Sequence, residues 1–196
     1  MTTRARKIFR GIKACGERST KRTMPSQGFE ETVLPHLDAA FNYARWLTRS
    51  SAEAEDVVQD ACLRAMRYFS SLRDGDARAW LFAIVRNTWY SRVSNHGHGQ
   101  EISVVANDRN EQPDNSLDPE EWLLQQHTVA LVRRAVEQLP VDFREVIVLR
   151  EMEGLSYKEI AAVTHVPIGT VMSRLARGRE RLAAILTLSA PEEARR

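Results

Sequence analysis

Glycine and proline are scarce in this chain, nine and seven among 196 residues. With so few chain breakers, the closely spaced turns of a sandwich or barrel have little to build them, whereas long helices need none. A nearly all-α protein is the expectation. Cysteine is scarcer still: Cys15 and Cys62 stand 47 positions apart, neither in a C-x-x-C pair nor at another metal-ligand spacing. That leaves a disulfide framework or a cysteine zinc site without support. Cys62 falls instead on the apolar side of a predicted helix, where it reads as a small core residue. No apolar run approaches the roughly 18 to 20 residues of a membrane span, and the basic N-terminal stretch lacks the apolar segment of a signal peptide. The expected compartment is the cytoplasm, and no metal or other cofactor is expected.

What the chain does have is apolar and charged side chains, 43% and 28% of the sequence, at a net charge of only +2. Residues 1–27 hold eight Lys and Arg against the single Glu17, whereas residues 28–196 hold 20 basic against 25 acidic groups. A mildly acidic body has no global field to attract nucleic acid, so such binding has to come from local basic faces. The basic start, residues 1–27, is aperiodic and reads as a disordered tail.

Helical periodicity marks residues 28–48, 52–70 and 76–94, with Ser51 and Asp76 as expected N-caps and Gly75 as a stop. Val58, Cys62, Ala65 and Phe69 recur at helical spacing, and Trp80, Leu81, Ile84, Val85 and Thr88 do the same in the third segment. Periodicity then vanishes. Residues 95–121 are rich in Gly, Asn, Asp and Pro and carry seven acidic groups against one Arg, the composition of a flexible linker. His96 and His98 within it lack a carboxylate or Cys partner at ligand spacing. Four further helical patterns follow at 120–138, 141–153, 156–163 and 168–186, with Gly154 placed as a C-terminal stop. The expected architecture is two small helical domains, 28–94 and 122–188, with a frayed tail at 189–196.

The stretch SYKEIAAVTHVPIGTVMSRLARGRERL, residues 156–182, opens on a capping box formed by Ser156 and Glu159. The first short helix is predicted to start at Tyr157 and to turn inward Ile160, Ala161 and Val163. On the second helix, Ile168, Val171, Leu175 and Leu182 fall on one side, with Thr170, Arg174, Arg177 and Arg181 expected roughly opposite. That pattern is predicted to be a helix-turn-helix whose second helix enters a major groove, its first residues at base edges and its later arginines at phosphates.

Upstream, EDVVQDACLRAMRYF places Asp56, Gln59, Asp60 and Arg64 in a polar stripe on the helix face opposite Cys62 and Phe69. Carboxylates at this spacing hold metals in some helical hydrolases, but no His accompanies them and no second carboxylate pair is evident. Enzyme chemistry is therefore not expected. In RAWLFAIVRNTWYSRV the cluster Arg86, Asn87, Trp89, Tyr90 and Arg92 offers aromatic faces beside cations, which is what unstacked single-stranded bases require.

Taken together, EDVVQDACLRAMR, AWLFAIVRNTWYSR, LPVDFREVIVLREMEGLSYKEIAAV and VPIGTVMSRLARGRERL, in this order across an acidic linker, resemble the extracytoplasmic-function (ECF) sigma factors of the sigma-70 family. Residues 29–94 resemble that family's region 2, a bundle of three to four helices, and 127–186 its region 4, a four-helix domain with the helix-turn-helix. The resemblance implies promoter-specific transcription initiation for a stress or envelope-response regulon. Its implied partners are core RNA polymerase through the β′ and β subunits, promoter DNA, and an anti-sigma factor. It implies that Asp56, Gln59, Asp60 and Arg64 dock on the clamp coiled coil of the polymerase. Arg73, Arg78, Arg86, Asn87, Trp89, Tyr90 and Arg92 would open and read the minus-ten element. Arg150, Tyr157, Lys158, Gly169, Thr170, Met172, Ser173, Arg174, Arg177 and Arg181 would serve the minus-thirty-five duplex.

Two departures stand out. His165 occupies a turn position where the family commonly has Gly, and a positive φ there would cost of order 1 kcal/mol. Met172 stands where Lys or Arg is often found, removing a donor. Residues 1–23 have no counterpart in the resemblance, so a protein starting at Met24 is expected to suffice for specific initiation. The rival readings are a free-standing helix-turn-helix regulator and a helical metal-dependent hydrolase.

Overall fold

The structure, a computed structural model, describes residues 27–72, 76–95 and 119–189, with side chains for 28–72, 76–95 and 126–188. Cys15, Arg73, Gly75, His96, His98, residues 1–26 and 190–196 of the predicted tails and most of the predicted linker lie outside these residues. Among the described residues every regular element is helical: α1 (Gln27–Val33), α2 (Leu37–Thr48), α3 (Ser51–Tyr68), α4 (Ala77–Asn95), α5 (Pro119–Glu137), α6 (Val141–Ile147), α7 (Tyr157–Thr164) and α8 (Ile168–Ser189). Short 3-10 turns at Leu34–His36 and Phe69–Ser71 complete the set, with a π turn at Val148–Met152.

Three boundaries correct the sequence reading. The continuous pattern at 28–48 is split, because Pro35 has no N–H to donate and its ring collides with the preceding turn; the chain passes through the 3-10 turn with Pro35 at its start. The N-cap of α3 is Ser50 rather than Ser51: the Ser50 Oγ accepts from the Glu53 N–H. Ser51 is already helical. The expected helix 141–153 leaves α geometry after Ile147, where the wider turn lets the Glu153 N–H reach the Val148 carbonyl at 3.1 Å. Gly154 then takes φ +67°, the left-handed conformation that stops the helix.

α2, α3 and α4 pack on one another. α3 contributes mostly small residues, Ala54, Val57, Val58, Ala61, Cys62 and Ala65, all buried, which lets the helices approach closely. Phe41, Tyr43, Leu81, Phe82 and Val85 fill the space between them, each apolar side chain of this size stabilising the fold by roughly 1.5 to 3 kcal/mol. In the C-terminal half, α8 packs on α5, α6 and α7 around Ile147, Leu149, Ile160, Val171 and Leu175. The two halves are not apart: α7 lies on α4 and α6 on α2, so one buried apolar cluster runs from Phe29 to Leu175.

Candidate polymerase and nucleic-acid interfaces

The stripe on α3 lies on the outer side of the bundle. Asp56 is exposed, and Gln59, Asp60 and Arg64 are half-buried. Asp60 Oδ2 accepts from Arg92 Nε at 3.1 Å and Nη2 at 2.6 Å, tying the candidate docking stripe to the candidate minus-ten helix. With both side chains more than a third exposed, the pair contributes no more than about 1 kcal/mol. Cys62, on the opposite side of α3, is 1% exposed, and burial pushes its thiol up to about 12.

α4 begins as expected, Asp76 Oδ1 accepting from the Arg78 N–H at 2.8 Å. Its side chains have partners the sequence did not foretell. Arg78 sits 5.4 Å from the Phe82 ring centre and donates to Glu153 of the other half. Arg86 stacks over Tyr90 at 4.4 Å, and its Nε donates to Glu145 Oε1 at 2.7 Å. Tyr43 on α2 donates its hydroxyl to the same oxygen, also at 2.7 Å. Trp89 packs edge-on against Tyr90 and is 8% exposed, so its face is covered rather than offered to a base. Asn87 alone of the described minus-ten candidates is fully at the surface.

The charges around Glu145 shift one another. Burial opposes the Arg86 charge, but the Glu145 charge and hydrogen bond outweigh it and hold Arg86 above its usual range. Burial first, then the Glu145 charge, raise the phenols of Tyr43 and Tyr90. Arg144, the neighbour of Glu145, is pushed down to about 10 by burial and by Arg49. It stays charged at neutral pH and donates to the Glu137 carbonyl at 3.0 Å, at the α5 C-terminus where the helix dipole favours a cation.

The helix-turn-helix forms as its sequence predicts. Ser156 Oγ accepts from the Glu159 N–H at 3.2 Å, and Glu159 accepts from the Ser156 N–H at 2.6 Å; these bonds lower the Glu159 pKa. His165 ends α7 at φ 56°, so the turn keeps the left-handed geometry and a non-glycine residue bears its cost of order 1 kcal/mol. Arg49 does the same after α2, at φ 59°.

On α8, Val171 and Leu175 are buried and Leu182 half-buried, but Ile168 is 43% exposed. The basic side chains are not opposite the buried stripe. At 100° per residue they centre about 100° from it, and two of them are engaged with α6: Arg174 pairs with Asp142 at 3.2 Å and Arg181 lies over Phe143 at 5.0 Å. Arg150 is also structural, donating to the Leu155 carbonyl at 2.8 Å and stacking on Tyr157 at 4.9 Å. Lys158, Gly169, Met172, Ser173 and Arg177 face solvent, and Thr170 is half-buried.

Glu145 and Glu153, which tie the halves together, were missed by sequence reasoning. A signal existed for Glu145: Val141 and Leu149, four residues to either side, are apolar, which puts its carboxylate on an inward face. Among the described residues no helix is long and apolar enough to cross a membrane, and no cluster of three metal-ligating side chains occurs.

Residues 32–98 match the family model for sigma-70 region 2, and residues 130–182 that for sigma-70 region 4. The ECF RNA polymerase sigma factor SigE of Mycolicibacterium smegmatis is 32% identical over 171 residues, 87% of this chain and 65% of SigE, so the chain spans just under two thirds of that relative. The ECF RNA polymerase sigma-E factor of Escherichia coli K12 is 38% identical over 137 residues, 66% of this chain and 72% of the relative. Among solved structures, the sigma factor RpoE of Bartonella quintana, in complex with the anti-sigma factor NepR, is similar with a TM-score of 0.68 at 31% identity, over 84% of this chain and 100% of that one. Two sigma-70 segments in the family's order, with relatives at this identity over most of their length, settle the family: the chain belongs to the ECF sigma factors of the sigma-70 family.

Proposed function

We propose that this chain binds core RNA polymerase and directs it to promoters of a stress or envelope-response regulon, the duplex being read upstream and opened downstream. The observation that carries this reading is a helix-turn-helix and an outward polar stripe on one chain. The α7 and α8 surface leaves Lys158, Gly169, Ser173 and Arg177 at the surface, where a backbone close to a groove and donors to base edges are needed. Asp56, Gln59, Asp60 and Arg64 supply a separate surface for the polymerase clamp, which a free-standing regulator would not need. Asn87, at the surface of α4, serves the opened minus-ten strand. An anti-sigma factor, like the NepR bound to the Bartonella relative, is the regulatory partner. Initiation proceeds on the polymerase, and the chain itself supplies no catalytic group.

The test is co-elution with purified core RNA polymerase on a sizing column. A stoichiometric complex is expected. Tight binding to promoter duplex with no polymerase complex would instead favour the free-standing regulator.

A further inference from the structure

We propose that Met172, flanked by Ile168, is the residue by which this chain reads thymine, its side chain packing on the 5-methyl group of a thymine in the major groove of the upstream element. This rests on the duplex-reading role proposed above for α7 and α8.

Two large apolar side chains are exposed one turn apart at the start of α8, Ile168 at 43% and Met172 at 50%. An isolated exposed apolar residue needs no explanation. These two, however, stand at the end of the helix that meets base edges when a helix-turn-helix docks. Ile168, Gly169, Met172 and Ser173 are all exposed, at the i, i+1, i+4 and i+5 spacing that makes one continuous surface. Val171 and Leu175 of the same helix are buried, which fixes the direction in which that surface points.

Gly169 is an independent sign that something approaches here. A glycine inside a helix is unfavourable relative to alanine, and two common reasons for one are missing. Its φ is not positive, and a methyl placed on it would meet nothing within 4 Å. The bare backbone therefore leaves room for a body from outside the chain.

The chemistry of the pair selects what that body presents. Isoleucine has no polar side-chain atom and the methionine thioether is only a weak acceptor, so neither donates to N7 or O6 of a purine. Of the groups that distinguish base pairs in the major groove, the thymine methyl is the apolar one. Methionine is unbranched and polarisable, so it adapts to the methyl, with Ile168 closing one side. Lys158 and Arg177, exposed on the same two helices, supply the positive charge that a duplex backbone attracts. A protein partner is the poorer fit, since two side chains are a small part of the roughly 800 Å² that a stable interface buries on each partner.

The experiment selects duplexes from a random-sequence upstream library with the full chain and core polymerase, and in parallel with the chain alone. The enriched element is then compared with copies in which each thymine in turn is replaced by deoxyuridine, which keeps the pairing and removes only the methyl. Expected is at least one thymine at which the replacement weakens binding about threefold to fivefold, the effect of one buried methyl. Met172→Ala should bind the thymine duplex more weakly and lose that difference, at helicity unchanged by circular dichroism. Met172→Leu should keep the difference, and Met172→Lys should shift the selection toward guanine at the same position. Arg177→Ala is the comparison: it should weaken thymine and deoxyuridine duplexes alike. Deoxyuridine binding as well as thymine at every position, or a penalty that persists in Met172→Ala, would overturn the proposal. A parent that elutes as a dimer, with Met172→Lys monomeric, would assign the pair to a second copy and overturn it as well. An element enriched by the chain alone and unchanged by core would remove the polymerase reading, and the thymine contact would stand on the same deoxyuridine comparison. No enriched element in either selection would remove the duplex reading and the thymine contact together.

Discussion

Gly178 sits in the middle of α8 where that helix crosses α6, and Gly178→Ala sets two opposing effects against each other. Replacing glycine in a helix interior by alanine gains about 0.8 to 1 kcal/mol of helix propensity. The added methyl, however, would stand 3.1 Å from Ile147 Cγ1 and 3.4 Å from both Ile147 Cδ1 and Phe143 Cβ, inside the ~3.5 to 4.0 Å at which carbon atoms attract. Ile147 is 2% exposed, so it has nowhere to move, and overpacking of this kind costs about 1 to 3 kcal/mol. The expected net effect is a destabilisation of about 1 kcal/mol, a fall of roughly 2 to 4 °C in Tm for a chain of this size. Gly169→Ala is the matched control: nothing lies within 4 Å of its added methyl, so it should be neutral or slightly stabilising. Thermal unfolding followed by circular dichroism compares the two. If Gly178→Ala melts at or above the temperature of Gly169→Ala, the close crossing of α6 and α8 is wrong.

Three further outcomes are expected. Asp56→Ala with Asp60→Ala should abolish co-elution with core polymerase at unchanged helicity, since the Asp60 pair with Arg92 contributes at most about 1 kcal/mol to the fold; undiminished co-elution would remove the docking assignment. Arg177→Ala should weaken upstream duplex recognition by about 1 to 3 kcal/mol, whereas Asn87→Ala should spare closed-complex binding and impair opening, a difference that permanganate footprints read directly. In a Cys15→Ser background the Cys62 thiol, raised from 9.0 to about 12, should resist thiol reagents until the chain unfolds. Because the folded value is the higher one, its contribution to stability is complete below pH 9 and is lost as pH rises toward 12; rapid labelling of the folded protein would contradict its burial.

Local features of this fold were legible because local chemistry decides them. Ser156 and Glu159 satisfy each other's backbone donors within one turn, and Gly154 takes the one conformation that ends its helix. The αL geometry at His165 was foreseeable from the turn but not from the residue, since histidine pays for it without any signature. Pro35 should have divided the first helix, and the apolar periodicity across it concealed the break. The contact between halves was illegible for a different reason. It depends on Glu145 meeting Tyr43, 102 positions away, and no periodicity within either segment encodes that meeting. The same limit affected the sites. Arg78, Arg86, Arg174 and Arg181 carry charge on a helix, and charge alone does not tell whether a carboxylate or an aromatic ring from elsewhere in the fold already engages it.

Run-off transcription tests the central claim most directly: core polymerase and genomic DNA are incubated with and without the full chain, and the 5′ ends of the transcripts are mapped. The account predicts new starts only when chain and core are both present, each preceded by the same pair of spaced sequence elements, with the DNA between the downstream element and the start sensitive to permanganate. Transcripts unchanged by the chain, from a preparation that nevertheless binds promoter duplex by itself, would contradict it.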